Sequence, residues 1–181
     1  MLVLGIETAC DETAAAIVED GQKILANVIA SQAALHRQYG GVFPEMASRM
    51  HIDNLIPVVD AALQKAGKTP ADIDLIAVAY APGLIGALLI GVNAAKTLAY
   101  AWQKPFLGIN HIEAHLYAAM MGNLTLEAFP AIGLVISGGH TLLLEIQNVG
   151  DYFFIGQTID DAIGECFDKV ATMLALPYPG G

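Results

Sequence analysis

Leu2-Val3-Leu4-Gly5-Ile6-Glu7, then Thr8-Ala9-Cys10-Asp11-Glu12, then Thr13-Ala14-Ala15-Ala16-Ile17-Val18 opens the 181-residue chain. The first run is almost wholly apolar and predicts a buried strand; the polar five predict a tight turn, and Thr13 to Val18 a second strand. Asp20-Gly21 is another hairpin signal and places a third strand at Lys23 to Ala30. Beyond Tyr39-Gly40-Gly41-Val42-Phe43-Pro44, a loop, the period becomes helical: Met46, Ile52, Leu55, Ile56, Val59 and Leu63 share one side. Pro57 is a point for a kink in that helix, and Gly67 ends it. Thr69 to Asp72 is a loop, Ile73 to Ala79 a buried strand, and Ala81 to Gly86 the turn after it. Leu84 to Trp102 follows as a helix whose Gly86 and Gly91 permit close packing. Phe106 to Ile109 is a further strand, feeding a helix that starts at about His111 and runs out near Gly122.

A second cycle then begins. Ala131 to Ile136 reads as a strand, Ser137-Gly138-Gly139-His140 as a turn, Thr141 to Gln147 and Asp151 to Gln157 as two more strands, and Asp160 to Leu176 as a helix. Strand, strand, strand, helix has appeared twice, which points to a duplicated domain. The expected division is 1–125 for the first lobe and 126–181 for the start of the second. The second copy stops at Pro179-Gly180-Gly181, before its own later elements, so the chain is expected to be the N-terminal part of a longer protein.

Composition narrows the function classes. A hydrophobic share of 55% raises the question of membrane insertion, as does a mean hydropathy of +0.55. The most apolar window, Leu84 to Ala101, contains Gly86, Gly91, Asn93 and Lys96 and reads as a helix buried in an α/β layer. Met1 to Ile6 is too short for a signal peptide and lacks a cationic lead, so the expected address is the cytoplasm. Cys10 and Cys166 are expected to be reduced, small, buried residues rather than nucleophiles. A formal net charge of −10 with eight Lys and Arg argues against this chain alone neutralising a broad phosphate surface.

Asn110-His111-Ile112-Glu113-Ala114-His115 carries the clearest chemistry. Imidazoles at His111 and His115, four residues apart on one helical face, can both reach a single metal ion. In the metalloprotease helix the glutamate directly follows the first histidine; here Glu113 lies two residues on, about 200° round the helix. Two imidazoles, one carboxylate and open positions suit iron or zinc. Asp11 or Glu12 completes the set only if the fold brings it there. Asp11 and Glu12 are otherwise cleft carboxylates able to take a proton, or solvated turn residues. Ser137-Gly138-Gly139-His140 is either a glycine hairpin or a turn whose backbone N–H groups converge on an anion.

The strand order βββαβαβα resembles the duplicated lobes of actin, the heat-shock chaperone ATPases and the sugar kinases, a ribonuclease H-like α/β architecture, with the second lobe incomplete. The motifs go further. Leu4-Gly5-Ile6-Glu7-Thr8-Ala9-Cys10-Asp11-Glu12-Thr13, Tyr39-Gly40-Gly41-Val42-Phe43-Pro44-Glu45, Pro82-Gly83-Leu84, His111 to His115, Ser137-Gly138-Gly139-His140-Thr141 and Asp160 to Lys169 occur in that order. Together they resemble the tRNA threonylcarbamoyladenosine transferase catalytic subunit family, formerly labelled O-sialoglycoprotein endopeptidase.

The resemblance implies transfer of the threonylcarbamoyl group from threonylcarbamoyl-AMP to the exocyclic amine of the adenosine next to the anticodon, in tRNAs reading codons that begin with A. It implies one metal ion per subunit held by His111 and His115, iron first and zinc second. It implies substrate contacts from Val135, Ile136, Ser137, Gly138, Gly139, Asp168 and Gly181, with Asp168 on ribose hydroxyls and His140 as a supporting donor. Asp11 and Glu12 are the expected catalytic residues. A further metal-binding aspartate and a substrate-contacting asparagine are expected past Gly181. The implied partners are a shorter paralogous subunit and a small ATPase, with a homodimer when isolated. The helices Pro44 to Ala66 and Leu84 to Trp102 offer the partner surface. Two rival readings are a metal-dependent glycoprotein endopeptidase, which the displaced Glu113 opposes, and a non-catalytic dimerisation scaffold.

Overall fold

A computed structural model describes residues 1–121 and 129–181. The expected helix end near Gly122 and the expected division at 125/126 lie outside the described residues. The chain forms two compact units, Met1–Ala114 and His115–Gly181.

In the first unit the strands are Leu2–Glu7 (β1), Glu12–Glu19 (β2), Lys23–Ser31 (β3), Leu75–Ala81 (β4) and Phe106–Asn110 (β5). They form one sheet in the order β3-β2-β1-β4-β5. The β1-β2-β3 pairs are antiparallel, while β4 runs parallel to β1 and β5 parallel to β4. Period-2 patterning decides the buried face: Leu4, Ile6, Ala15, Ile17, Ile76 and Val78 are all at most 3% exposed, as expected where alternate side chains of neighbouring strands point into one core.

The covering layer is Pro44–Ala66 (α2) and Ile85–Trp102 (α3), preceded by the single turn Ala33–His36 (α1). Helix α2 begins on Pro44, runs through Pro57, and ends on Gly67 at φ 63°, the left-handed conformation glycine adopts without steric cost. Its buried stripe is Ala47, His51, Leu55, Val58, Val59, Ala62 and Leu63. Ile52 and Ile56, expected on that face, are exposed; at about 100° per residue they fall at the margin of the buried arc, beside Leu63, rather than at its centre. From Leu55 to Leu63 the stripe closes over the sheet in a single cluster with Leu4, Ile17 and Ile76. Helix α3 is pressed close by its small residues: a Cβ on Gly86 would overlap Ser48 of α2, and one on Gly91 would overlap Thr8. It passes the length and apolarity test for a membrane span. It is not buried all round, as the sequence suggests: Ala87, Leu88, Gly91, Ala95 and Ala99 face inward, while Ile85, Leu89 and Tyr100 are exposed.

The opening turn is not the tight hairpin expected. Glu7 is the last residue of β1 to pair with β2, opposite Ala14, so the connection runs through Thr8 to Thr13. A loop of that width needs tertiary support.

The second unit holds a three-stranded antiparallel sheet of Ala131–Ile136 (β6), Thr141–Asn148 (β7) and Asp151–Gln157 (β8), in that order. Helix His111–Met120 (α4) begins at the end of the first unit and continues into the second. Leu116 packs on β6, where a Cβ at Gly133 would stand 2.8 Å from its Cδ2. Val135, Leu144 and Ile146 are buried beside it. The last helix, Ile163–Met173 (α5), is shorter than Asp160 to Leu176. At its start, Thr158 Oγ1 donates to the Asp161 carbonyl at 2.7 Å and the Asp160 carboxylate takes the Asp161 N–H, a side-chain-closed turn that competes with helix. At its end, Ala175 adopts φ 54°.

Candidate functional site

In the first unit β1, β4 and β5 run parallel and end together at Glu7, Ala81 and Asn110, the sheet edge where open α/β folds place ligands. Asn110 starts α4: its side-chain oxygen accepts from Ile112 N–H at 2.9 Å and Glu113 N–H at 3.2 Å, satisfying two donors that a helix start leaves orphaned. The histidines are thereby placed at the first and fifth positions of the helix, on one face. His111 Nδ1 lies 3.0 Å from Glu7 Oε2. The other Glu7 oxygen accepts the Ala9 N–H. Glu7 is the residue at this edge that sequence reasoning missed. Its signal was an acid closing an apolar strand at the carboxyl edge of the sheet.

The Thr8–Glu12 loop is fastened from several elements. Thr8 Oγ1 donates to the Ala87 carbonyl at 2.9 Å and is fully buried. The Ala9 carbonyl accepts Leu84 N–H at 2.8 Å, and the Asp11 carbonyl accepts Gln32 N–H at 3.0 Å. A Cβ on Gly83 would stand 2.6 Å from the Ala9 oxygen, so only glycine lets the chain approach there. Between these ties, the Cys10 carbonyl is held by His51. The His51 ring is buried at 0% exposure, with Nε2 3.0 Å from Cys10 O and Nδ1 2.8 Å from Thr13 Oγ1. A carbonyl can only accept, so Nε2 carries the proton and Nδ1 accepts from the threonine hydroxyl. Burial holds the His51 pKa below its ordinary value, against the raising effects of the Cys10 carbonyl and of Glu7 and Asp11. Asp11 ends up partly buried and Glu12 exposed at the first position of β2.

Cys10 and Cys166 are free thiols, as expected, but both residues are exposed rather than buried. Cys10 stands on the opening loop and Cys166 on the outer face of α5, neither of which contributes to a core. Desolvation of the thiol, with Asp11 beside it, pushes Cys10 up to about 12, which makes it a poor nucleophile.

In the second unit the β6-β7 turn closes on itself. Ser137 N–H donates to the His140 carbonyl at 2.8 Å, and His140 N–H donates to Ser137 Oγ at 3.0 Å. Gly138 and Gly139 are exposed, and a Cβ on either would meet nothing within 4 Å. The start of α5 backs this turn: Ile163 N–H donates to Thr141 Oγ1 at 2.9 Å and Gly164 N–H to the Ser137 carbonyl at 3.2 Å. A pocket of about 330 Å³ in this unit is lined by His115, Leu116, Ala119 and Met120 of α4, by Ala131 to Ile136, by Ser137 and by Ile146. It therefore brings His115, Val135, Ile136 and Ser137 together. Asp168 and Gly181 are grouped elsewhere. The Asp168 carboxylate accepts Gly180 N–H at 2.8 Å, and a Cβ on Gly181 would meet the Phe167 ring. Lys169 pairs with Asp161 and Glu165 at 2.5 and 3.0 Å, which raise its pKa.

His111 and His115, at the first and fifth positions of α4, are of the donor type that iron and zinc take. Among the described residues no group of three or more His, Cys, Asp or Glu could hold an ion, so neither Asp11 nor Glu12 completes a set.

A mixed sheet of order 3-2-1-4-5 followed by a second unit that restarts with three antiparallel strands defines an actin-like ATPase-fold protein. Solved structures agree on the fold. YeaZ from Pseudomonas aeruginosa superposes with a TM-score of 0.56 at 19% identity, covering 87% of this chain and 68% of that one. Component A of (R)-2-hydroxyglutaryl-CoA dehydratase from Acidaminococcus fermentans gives 0.55 at 15% identity, covering 97% and 55%. The chain belongs to the TsaD family, tRNA N6-adenosine threonylcarbamoyltransferase, whose family model matches residues 23–181. Relatives bearing that description are 65% identical over 181 residues in Protochlamydia amoebophila and 55% identical over 183 residues in Bacillus subtilis. The chain is covered completely in both, and spans 53% and 52% of those relatives' length.

Proposed function

We propose that the chain works in threonylcarbamoyl transfer from threonylcarbamoyl-AMP to the exocyclic amine of the adenosine next to the anticodon, in tRNAs reading codons that begin with A. The observation that carries this reading beyond family membership is the pocket in which His115 meets Val135, Ile136 and Ser137, a metal donor beside the strand and turn assigned to the substrate.

The amine attacks the carbamoyl carbon, the bond from that carbon to the phosphate oxygen breaks, and AMP leaves with its electron pair. The attacking nitrogen must lose a proton as the bond forms, and an aromatic amine is a weak nucleophile, so a positioned carboxylate accelerates the step. Asp11 and Glu12 supply that carboxylate or orient the amine. Gly138 and Gly139, with no side chain over the backbone, let N–H groups approach the nucleotide phosphate. Asp168 receives the ribose hydroxyls, and Gly181 forms part of the same wall. His111 and His115 would hold the metal, iron first and zinc second, which supplies Lewis-acid stabilisation of the substrate oxygens.

A chain of net charge −10 is a poor tRNA surface by itself, which favours assembly with a shorter paralogous subunit and a small ATPase in the cytoplasm. Ile52 and Ile56 of α2 with Ile85, Leu89 and Tyr100 of α3 are exposed and suit that subunit, or a second copy when the chain is isolated.

The test is transfer of labelled threonylcarbamoyl from threonylcarbamoyl-AMP to tRNA by the assembled protein. Asp11→Ala is expected to lower the rate by about 100-fold or more. Full activity in that variant removes Asp11 from the chemistry, and no transfer by the unmodified assembly overturns the function.

A further inference from the structure

We infer that Glu7 is the positioning residue for His111, fixing the imidazole tautomer and ring direction so that Nε2 is the nitrogen presented to the metal. The inference rests on the reading of His111 as a metal ligand.

Glu7 sits where β1 ends, and His111 where α4 begins, so two elements far apart in sequence meet at one carboxylate. The two oxygens have separate duties. Oε1 takes the Ala9 N–H, and Oε2 lies 3.0 Å from His111 Nδ1. A carboxylate oxygen accepts, so Nδ1 is the donor and the ring lone pair lies on Nε2. Metal-bound imidazoles commonly donate their second nitrogen to a carboxylate in this way, which orients the ring and strengthens the ligand. Both side chains are substantially shielded, His111 at 18% and Glu7 at 33% exposure, so water competes weakly for the bond. Because Glu7 also holds Ala9, the same carboxylate ties the metal-ligand helix to the loop that carries Asp11 and Glu12. A single carboxylate thereby couples the geometry of the two groups assigned to the reaction.

Glutamine at this position keeps one of the two oxygens that serve Ala9 and His111 separately and replaces the other with an NH2 that cannot accept, whereas alanine serves neither. The experiment is Zn²⁺ titration of the full chain against a chromophoric chelator, for the unmodified protein, Glu7→Ala, Glu7→Gln and His111→Ala. Nitrogen NMR of the metal-free protein reports the His111 tautomer alongside, and circular dichroism checks that each variant is folded. The expected result is an affinity about 10- to 100-fold weaker in Glu7→Ala, an intermediate loss in Glu7→Gln, and a shift of the His111 proton from Nδ1 to Nε2 in Glu7→Ala. Zn²⁺ binding unchanged in both Glu7 variants but lost in His111→Ala overturns this inference and leaves the metal reading standing. A His111 proton on Nε2 in the unmodified protein also overturns it. Zn²⁺ binding by the unmodified protein no tighter than by His111→Ala overturns the metal reading and the inference with it. If Glu7→Ala fails to fold, Glu7→Gln, which keeps the side-chain volume, decides the matter.

Discussion

The opening turn of the first unit and the opening turn of the second occupy the same place in the strand order, and they are held in opposite ways. Thr8–Glu12 is fastened from outside by Gln32, His51, Leu84 and Ala87, all more than 20 positions from the atoms they hold. Ser137–His140 is closed by its own ends, Ser137 to His140, with the first N–H groups of α5 behind it. A loop rich in Asp, Glu and Cys has no conformation of its own to fall into, so tertiary bonds must define it; a Ser-Gly-Gly-His turn is defined locally. The first arrangement suits a site whose carboxylates must be held still. The second suits a backbone surface that a ligand approaches.

The largest effect expected is Gly164→Val. A Cβ there would lie 2.6–2.7 Å from the Ser137 carbonyl and Gly138 nitrogen, backbone that cannot yield cheaply, so a destabilisation of about 3 kcal/mol is expected in urea unfolding. Stability within about 0.5 kcal/mol of the unmodified chain would mean that α5 does not back the turn.

His51→Ala should cost about 2–3 kcal/mol, since it strips the part-buried Cys10 carbonyl and the buried Thr13 hydroxyl of a shared partner. Hydrogen exchange across Thr8–Asp11 should quicken while that of Gly138–His140 is unchanged. Equal acceleration in both turns would erase the contrast between them.

A smaller, pH-borne loss follows from the lowered pKa of His51. Folded His51 takes up its proton less readily than the unfolded residue. Its contribution is therefore complete above the unfolded value of about 6.5 and declines as pH falls below that, toward the folded pKa. Unfolding free energies measured between pH 7.5 and 5.5 should fall, and fall less in His51→Gln. Parallel slopes in the two proteins would count against a neutral buried ring.

Ser137→Ala should have the mildest consequence, about 0.5–1.5 kcal/mol, because the backbone bond from Ser137 to the His140 carbonyl survives loss of the hydroxyl. A loss as large as that of Gly164→Val would show the turn to depend on its side chain instead.

Most strands could be read from residue alternation and turn signals, and α2 and α3 from period, Pro44 and Gly67. The exceptions have a common cause. Ile52 and Ile56 are as apolar as Leu55 and Val59, yet burial is decided by which stripe meets the sheet. Asp160 to Ala162 has helix-compatible residues, yet its side chains close a turn first. Cys10 and Cys166 look like core residues and stand exposed. In the candidate site, His111 and His115 were legible because helical spacing is local, and Gly138 and Gly139 because turn chemistry is local. Glu7 reaches His111, and His51 reaches Thr13 and Cys10, across 104 and 38–41 positions of sequence.

The sequence by itself determined the strand and helix order, its repetition, the family motifs and the histidine pair on one helical turn, since each depends on residue type and short spacing. Only the tertiary structure decided that Glu7 meets His111, that a buried neutral His51 holds the Asp11 loop, and that His115 shares a pocket with Val135 to Ser137. Those are contacts between distant segments, set by sheet order and helix packing, and hydrophobic period records which face is buried without recording what it will be buried against.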